Sequence, residues 1–375
     1  MSRYDDLGIR RVINAAATLT RLGGSVMPPP VVAAMAEGAT MHVDLPLLQE
    51  RVGERIAALT QNEACYISSG AAAGIAIAVA ACIAGEDPAA IARFPYLTDG
   101  KREVIIHRAH RNGYDHAARQ TGATLVEIGG AHTTQSWELE AAISPRTACV
   151  LWFAGEHYAR GALSLAEVVA IAHAHGVPVL VDAAAQIPPI SSLWHFTREL
   201  GADIAIFSGG KGLRGPQSSG LVLGRRDIVA ACRVNGSPNH SLGRPMKVGK
   251  EETLGVLAAV EWSLAQNEEA VLAGYDETVQ RWIAGLHDLP GVTVERGYPS
   301  EAGQPHARAI VHLGPDFPMA RDEVVAALYG GSPCIAVGTV GTNAIALNPQ
   351  PLVEPDEAVI VLEHVRAVLA PVATR

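Results

Sequence analysis

The 375-residue sequence predicts an α/β protein: a large domain on a mostly parallel seven-stranded sheet and a smaller C-terminal α+β domain. Short apolar runs alternate with helical segments through much of the chain, as a parallel sheet covered on both faces requires. Composition agrees. Hydrophobic residues make up 49%, charged ones 18% and aromatics 5%, with 37 glycines, so small side chains are at hand where helices press on a sheet. Length is the third indication, because 375 residues exceed what one domain usually holds.

Taken in order, residues 1–44 read as an N-terminal arm and a helix that join the small domain, with Pro28, Pro29 and Pro30 opening the helix VVAAMAEGA. LLQERVGERIAALT carries its apolar residues at helical period. The strand ACYISSG runs straight into AAAGIAIAVAACIAG, whose Ala, Ile and Val predict a helix buried on every side. EVIIHR, TLVEIG, TACVLWFAG, VPVLVDAAA, DIAIFSGG and GLVLG follow as strands, with NGYDHAARQTG and SLAEVVAIAHAHG as helices between them. This core is placed at residues 45–240. RVNGSPNHSLGRPMKVGKEE, rich in Gly, Pro, Asn and Ser, marks a connection. Residues 241–375 then supply the small domain, with helices at EETLGVLAAVEWSLAQ, DETVQRWIAGLHDL, ARDEVVAALYG and DEAVIVLEHVRAVLA and strands at GVTVERG and RAIVHLG.

Several function classes fall away. A net charge of -9 with no basic block argues against nucleic acid as the main partner. Cys65, Cys82, Cys149, Cys232 and Cys334 are scattered with no CxxC pair, which indicates neither a disulfide framework nor a metal site. The opening segment lacks an apolar signal core and no later run suits a bilayer, so a cytoplasmic protein without a membrane partner is expected.

Three features coincide at the C-terminal ends of expected strands, where open α/β sheets bind ligands. Ser68, Ser69, Gly70 and Ala71 follow ACYI; small residues there let the amides of a helix N-terminus approach a phosphate, although a plain strand-to-helix turn uses the same residues. Asp182 closes the apolar strand VPVLVD and so needs a cation or several donors, with a helix cap as the bland alternative. Lys211, in FSGGKGLRGPQSSG, sits on a glycine-rich loop with little bulk around it; an exposed loop lysine and a Schiff-base lysine are both compatible with that.

In that order, with one strand between Asp182 and Lys211, the features resemble the fold type I, aspartate-aminotransferase-type pyridoxal enzymes. More narrowly, INAAATLTRLGGSVMPPPVVAAM, SSGAAAGIAIAVAACIAG, VDAAAQIPP, FSGGKGLRGPQSSG and GRPMKVGKEE resemble the selenocysteine synthase-like family that includes D-glucosaminate-6-phosphate ammonia-lyase. The resemblance implies pyridoxal 5'-phosphate as cofactor, carried by Lys211, with Asp182 on the pyridine nitrogen and Ser68, Ser69, Gly70 and Ala71 as the phosphate cup. It implies His110 on the cofactor face, and Gln186 and Ser208 as further contacts. Arg21, His42, His157, Arg160, Arg214, Arg244 and Lys247 are candidates for an anionic substrate group, whereas GTVGTNAIALNPQPL offers Asn343 and Asn348 rather than an arginine. A homodimer or larger homo-oligomer is implied as well. Selenium transfer on tRNA is not expected, because the sequence opens almost directly on IRRVINAAATLT and the net charge is negative.

The function expected is therefore that of an amino-acid lyase, which eliminates from a β-hydroxy amino acid or amino sugar acid to give a keto acid and ammonia. Racemisation or transamination shares the same proton abstraction and stays open, as does a non-catalytic, ligand-binding member of the fold.

Overall fold

The computed structural model describes residues 2–370. Among them the strands, in chain order, are β1 (Val12–Ala15), β2 (Ala64–Ser68), β3 (Glu103–His107), β4 (Thr124–Ile128), β5 (Thr147–Phe153) and β6 (Val179–Asp182). They continue as β7 (Ile204–Ser208), β8 (Gly220–Gly224), β9 (Val292–Gly297), β10 (Arg308–Leu313), β11 (Cys334–Val340) and β12 (Ala344–Leu347). The chain divides into a larger unit, Met27–Gln266, and a smaller one that combines the segment up to Val26 with the segment from Asn267 onward.

The larger unit holds a seven-stranded sheet in the order β2-β8-β7-β6-β5-β3-β4. Strands β7, β6, β5, β3 and β4 run parallel, and β8 is antiparallel to both of its neighbours. Its strands bury side chains on both faces at period two: Ile67, Ile105, Val150, Val181 and Phe207 enter one core, while Tyr66, Ile106, Leu151, Leu180 and Ile206 enter the other. The Ala/Ile/Val helix forms at Ala71–Ala84 and is almost wholly buried from Gly74 onward, as its composition requires. Asp44 caps the helix Leu45–Leu59 by accepting from the Leu47 amide at 2.9 Å.

The division of the chain lies at 26/27 and 266/267 rather than at the expected 44/45 and 240/241. The cause is helix packing. The helix Pro29–Gly38 lies against the helix Lys250–Leu264, where Lys250 Nζ donates to the Gly38 carbonyl at 2.6 Å. Both helices are thereby held in the larger unit.

The smaller unit contains a five-stranded sheet, β1-β11-β12-β10-β9. The arm contributes β1, parallel to β11, and the remaining pairs are antiparallel. Trp282, from the helix Glu268–Leu286, is fully buried against this sheet and donates its indole N–H to the Ala358 carbonyl at 2.8 Å. The cysteines are free thiols, with Cys82 alone partly exposed. Among the described residues no helix is long and apolar enough to cross a membrane, and no cluster of His, Cys, Asp and Glu could hold a metal.

Candidate active site

The strand order brings the ends of β2, β7, β6, β5 and β3 to one edge of the larger sheet. Ser68 and Ser208 both pair with Gly220 across β8, so the loops that follow β2 and β7 start side by side. Asp182 is in register with Phe153 of β5 and Ile206 of β7. Residues far apart in sequence thus meet within a few strand spacings.

At the β2 end, Gly70 adopts φ +131, a conformation that glycine alone takes readily, and a β-carbon there would project into open space. Gly70 is the N-cap of Ala71–Ala84 and gives no side-chain cap; the Gly74 amide bonds back to the Gly70 carbonyl at 2.9 Å, which leaves the amides of the first turn pointing out of the helix. That is an anion seat. Ser68 is not a lining group of it. Its hydroxyl, fully buried, donates to the Gly70 carbonyl at 2.9 Å and braces the turn instead. Ser69, Gly70, Ala71 and Ser208 are half-buried at this edge.

Lys211 is half-buried on a loop closed by main-chain bonds, Gly215 N–H to the Gly209 carbonyl at 2.8 Å and Arg214 N–H to the Lys211 carbonyl at 2.9 Å. Arg214 takes φ 54, and its guanidinium lies over Trp262 at 5.9 Å. A β-carbon at Gly212 would stand 1.9 Å from the Ile187 carbonyl oxygen, so only glycine lets the lysine loop approach the segment after Asp182 this closely. Asp182 itself is 8% exposed and accepts from the Ala184 amide at 3.0 Å. Burial raises its pKa, against which the Ala184 amide and the nearby charge of Lys211 act in the opposite sense. The acid and the amine are therefore within electrostatic reach of each other.

His110, after β3, is fully buried. Its Nδ1 accepts from the Phe153 amide at 3.2 Å, which puts the proton of the neutral ring on Nε2, a buried atom with no hydrogen-bond partner among the described residues. Trp152, Phe153 and Tyr158 meet the ring edge-on at 5.3, 6.3 and 5.9 Å. His107 lies 4.9 Å from His110, with Nε2 accepting from the Leu163 amide at 3.2 Å and Nδ1 unpaired among the described residues. Burial pushes His110 down to about 3 and His107 to about 4, so both rings are neutral at neutral pH.

Gln186 is half-buried and donates to the Ala154 carbonyl at 3.3 Å. Of the candidates for a substrate anion, His42, His157, Arg160, Arg244 and Lys247 are exposed in the larger unit, and Arg21 is exposed in the smaller one. Sequence reading passed over His107 and Tyr158. Tyr158 packs on His110 and Phe153, and its phenol is raised first by burial and then by the charge of Asp182. A tyrosine in EHYA carries no local signal, because its neighbour Asp182 is contributed by another strand.

An open helix N-terminus, a buried acid short of donors, an amine near that acid and a buried neutral ring match the chemistry of a phosphorylated pyridine aldehyde. The comparisons agree. Residues 50–243 match the family model described as aminotransferase class-V. The chain is 34% identical over 366 residues to D-glucosaminate-6-phosphate ammonia lyase of Salmonella typhimurium (strain 14028s / SGSC 2262), covering 96% of this chain and 95% of that one. It is 36% identical over 319 residues to 5'-C-glycyluridine monooxygenase-decarboxylase of Streptomyces sp, covering 83% and 77%. A solved structure of D-glucosaminate-6-phosphate ammonia-lyase superposes with TM-score 0.85 at 31% identity, over 98% of both chains. L-seryl-tRNA(Sec) selenium transferase of Moorella thermoacetica is 28% identical, and this chain spans 57% of it. The chain belongs to the aminotransferase class-V family and is a pyridoxal-phosphate-dependent enzyme.

Proposed function

We propose that this enzyme is an ammonia-lyase acting on a β-hydroxy amino acid or an amino sugar acid. The substrate loses its Cα proton and β-hydroxyl as water, and the released enamine takes water back to give a keto acid and ammonium. The observation that carries elimination over other outcomes is the relationship to the Salmonella ammonia lyase, which runs the length of both chains. Racemisation and transamination draw no support from the two relatives of highest identity named above.

Bound pyridoxal phosphate supplies an electron sink for the charge left at Cα. The amides of Ser69, Gly70 and Ala71 where the helix begins, with the Ser208 hydroxyl, would hold its phosphate, and Ser68 keeps that turn in shape. Asp182 would hold the proton on the pyridine nitrogen. An acid buried beneath one edge of a sheet is suited to this, since it gains a cationic partner in place of solvent. His110 would cover the ring as a neutral imidazole and so would add no competing charge beside Asp182. Gln186 lies alongside on the loop after the acid. Lys211 is the amine that would attach the cofactor, and its amino group would take the proton from Cα.

We further propose a cytoplasmic homo-oligomer that binds neither nucleic acid nor membrane. Free thiols support the compartment, and the exposed side chains Val32, Met41, Val43 and Leu47 of the larger unit support a second copy. A sedimentation run that shows a monomer at micromolar protein overturns the second point.

The test of the reaction is product formation without a keto-acid acceptor. Holoenzyme mixed with a panel of D- and L-β-hydroxy amino acids and D-glucosaminate 6-phosphate is expected to release ammonia and keto acid in equal amounts. Silence across the panel overturns the proposal. A second reading, oxidative decarboxylation, rests on the identity to the Streptomyces enzyme, and oxygen uptake with carbon dioxide release would replace elimination in its favour.

A further inference from the structure

His107 ends β3 and is fully buried, and the chemistry proposed above gives it no task. Its contacts do. Phe153 donates its amide to His110 Nδ1 and Leu163 donates its amide to His107 Nε2, both at 3.2 Å, so two neighbouring rings hold the two ends of one loop, residues 154–162. The stem of that loop is fastened further. The Ala154 amide donates to the Asp182 carbonyl at 2.9 Å, the Trp152 indole N–H to the Leu163 carbonyl at 3.2 Å, and the Thr134 hydroxyl to the Gly161 carbonyl at 2.6 Å.

The tip is built differently. Gly155 at φ 150 and Gly161 at φ 82 take conformations that other residues rarely adopt, and between them Glu156, His157 and Arg160 are exposed. Tyr158 alone packs back on the site side: it meets His110 edge-on at 5.9 Å and Phe153 at 5.7 Å. The orientation of His110 therefore depends on the amide of Phe153 and on Tyr158, and both belong to the loop and its stem.

An imidazole in this place carries a cost. Because Nε2 accepts, the proton sits on Nδ1, which is buried with no partner among the described residues. A leucine would avoid that cost, but it would leave the buried Leu163 amide without an acceptor. Burial holds the pKa of His107 at about 4, so the acceptor is available at neutral pH.

We propose that His107 is a positioning residue for the active site: by accepting from the Leu163 amide it closes the base of the loop 154–162 and so keeps Tyr158 against His110. The inference rests on the reading of this edge as the cofactor site. It assigns His107 no contact with cofactor or substrate.

Limited trypsin digestion of the apoprotein, well below its melting temperature, reads the loop directly. Arg160 is the sole Lys or Arg between Arg146 and Arg198, so cleavage there gives unambiguous fragments. His107→Leu is expected to speed that cut by about tenfold. His107→Gln, whose side-chain oxygen takes the place of Nε2 as acceptor, is expected to stay within about twofold of wild type. In the holoenzyme, His107→Leu should weaken cofactor affinity by roughly three- to tenfold and lower the visible circular dichroism, and His107→Gln should restore both. Placed on Tyr158→Ala, His107→Leu should cause no further loss of dichroism, since the tyrosine carries the effect. Should His107→Leu fail to fold, Trp152→Phe, which removes the other bond to Leu163, decides by the same digestion. Cleavage at the wild-type rate in folded His107→Leu, or in Trp152→Phe where it stands in, overturns the proposal, as do equal losses in the Leu and Gln variants or additive losses with Tyr158→Ala. Ammonia release enters none of these readouts, so failure of the lyase chemistry is seen separately.

Discussion

Two buried aspartates stand at opposite edges of the same sheet and differ in how they are satisfied. Asp203, just before β7, is 3% exposed and accepts from the Val179 amide at 2.7 Å, from His173 Nε2 at 2.8 Å and from Arg225 Nη1 at 2.6 Å. Asp182, at the far end of β6, is 8% exposed and among the described residues takes one main-chain amide, with the Lys211 charge nearby. The first acid completes a structural network that ties strand ends to a helix and a loop. The second keeps acceptor capacity in reserve at the edge where Lys211 and the open turn at Gly70 also lie. A buried carboxylate left partly unpaired is a cost, and it persists where a ligand removes that cost. Burial alone therefore does not separate scaffold from site; the count of donors does.

The contrast can be broken by mutation, and the largest effect is expected at the amine beside Asp182. Lys211→Ala should lower ammonia release by roughly 10²–10⁴-fold, measured in single turnovers with excess cofactor, while residual rates near wild type would remove Lys211 from the chemistry. Asp182→Asn should reduce kcat by about 10²–10³-fold and leave the melting temperature of the apoprotein at neutral pH unchanged or higher. The sign follows from its raised pKa: the stability an acid of this kind contributes is present at low pH and is lost as pH rises through the folded value. Asp203→Asn should do the reverse, costing about 2–3 kcal/mol in urea unfolding with kcat little changed. If the two variants behave alike, the distinction drawn from their donors fails.

Smaller effects sharpen the comparison. His110 at about 3 and His107 at about 4 lie below the ordinary 6.5, so each binds its proton more weakly when folded. Their stability contribution is present above pH 6.5 and is lost as pH falls from there toward 4 and 3. Between pH 7 and pH 5 each ring should account for up to about 2 kcal/mol, and His107→Gln should flatten that limb in apoprotein melts. A limb of unchanged slope would contradict the buried, neutral assignment. Least of all, Ser68→Ala should lower stability by about 1 kcal/mol and weaken cofactor affinity several-fold, because its hydroxyl only braces the Gly70 turn.

The larger sheet was legible because its signals are local. ACYIS, VLVD and IAIFS are short apolar runs bounded by turn residues, and each ends on a residue proposed for the site, Ser68, Asp182 or Ser208. Elements of the smaller sheet were harder to see. CIAVGTV has an internal glycine and AIAL is short, so β11 and β12 carry little pattern of their own and form through pairing with β1 and β10. The unit boundary escaped notice for a similar reason, as nothing in PPVVAAMAEG says that its partner is the helix Lys250–Leu264. The candidate residues that the strand order brings to one edge of the larger sheet are those that end strands. Tyr158 and His107 depend on contacts between elements, and the exposed cations Arg160, Arg244 and Lys247 could not be ranked by residue type alone.

The attachment of the cofactor can be read directly. Holoenzyme reduced with borohydride, digested and mapped by mass spectrometry should carry the phosphopyridoxyl group on the peptide containing Lys211, and Lys211→Ala should carry none. Label on Lys247, Lys250 or Lys101 in the wild-type protein, or undiminished label in Lys211→Ala, would contradict the proposal that Lys211, beside Asp182, is the catalytic amine.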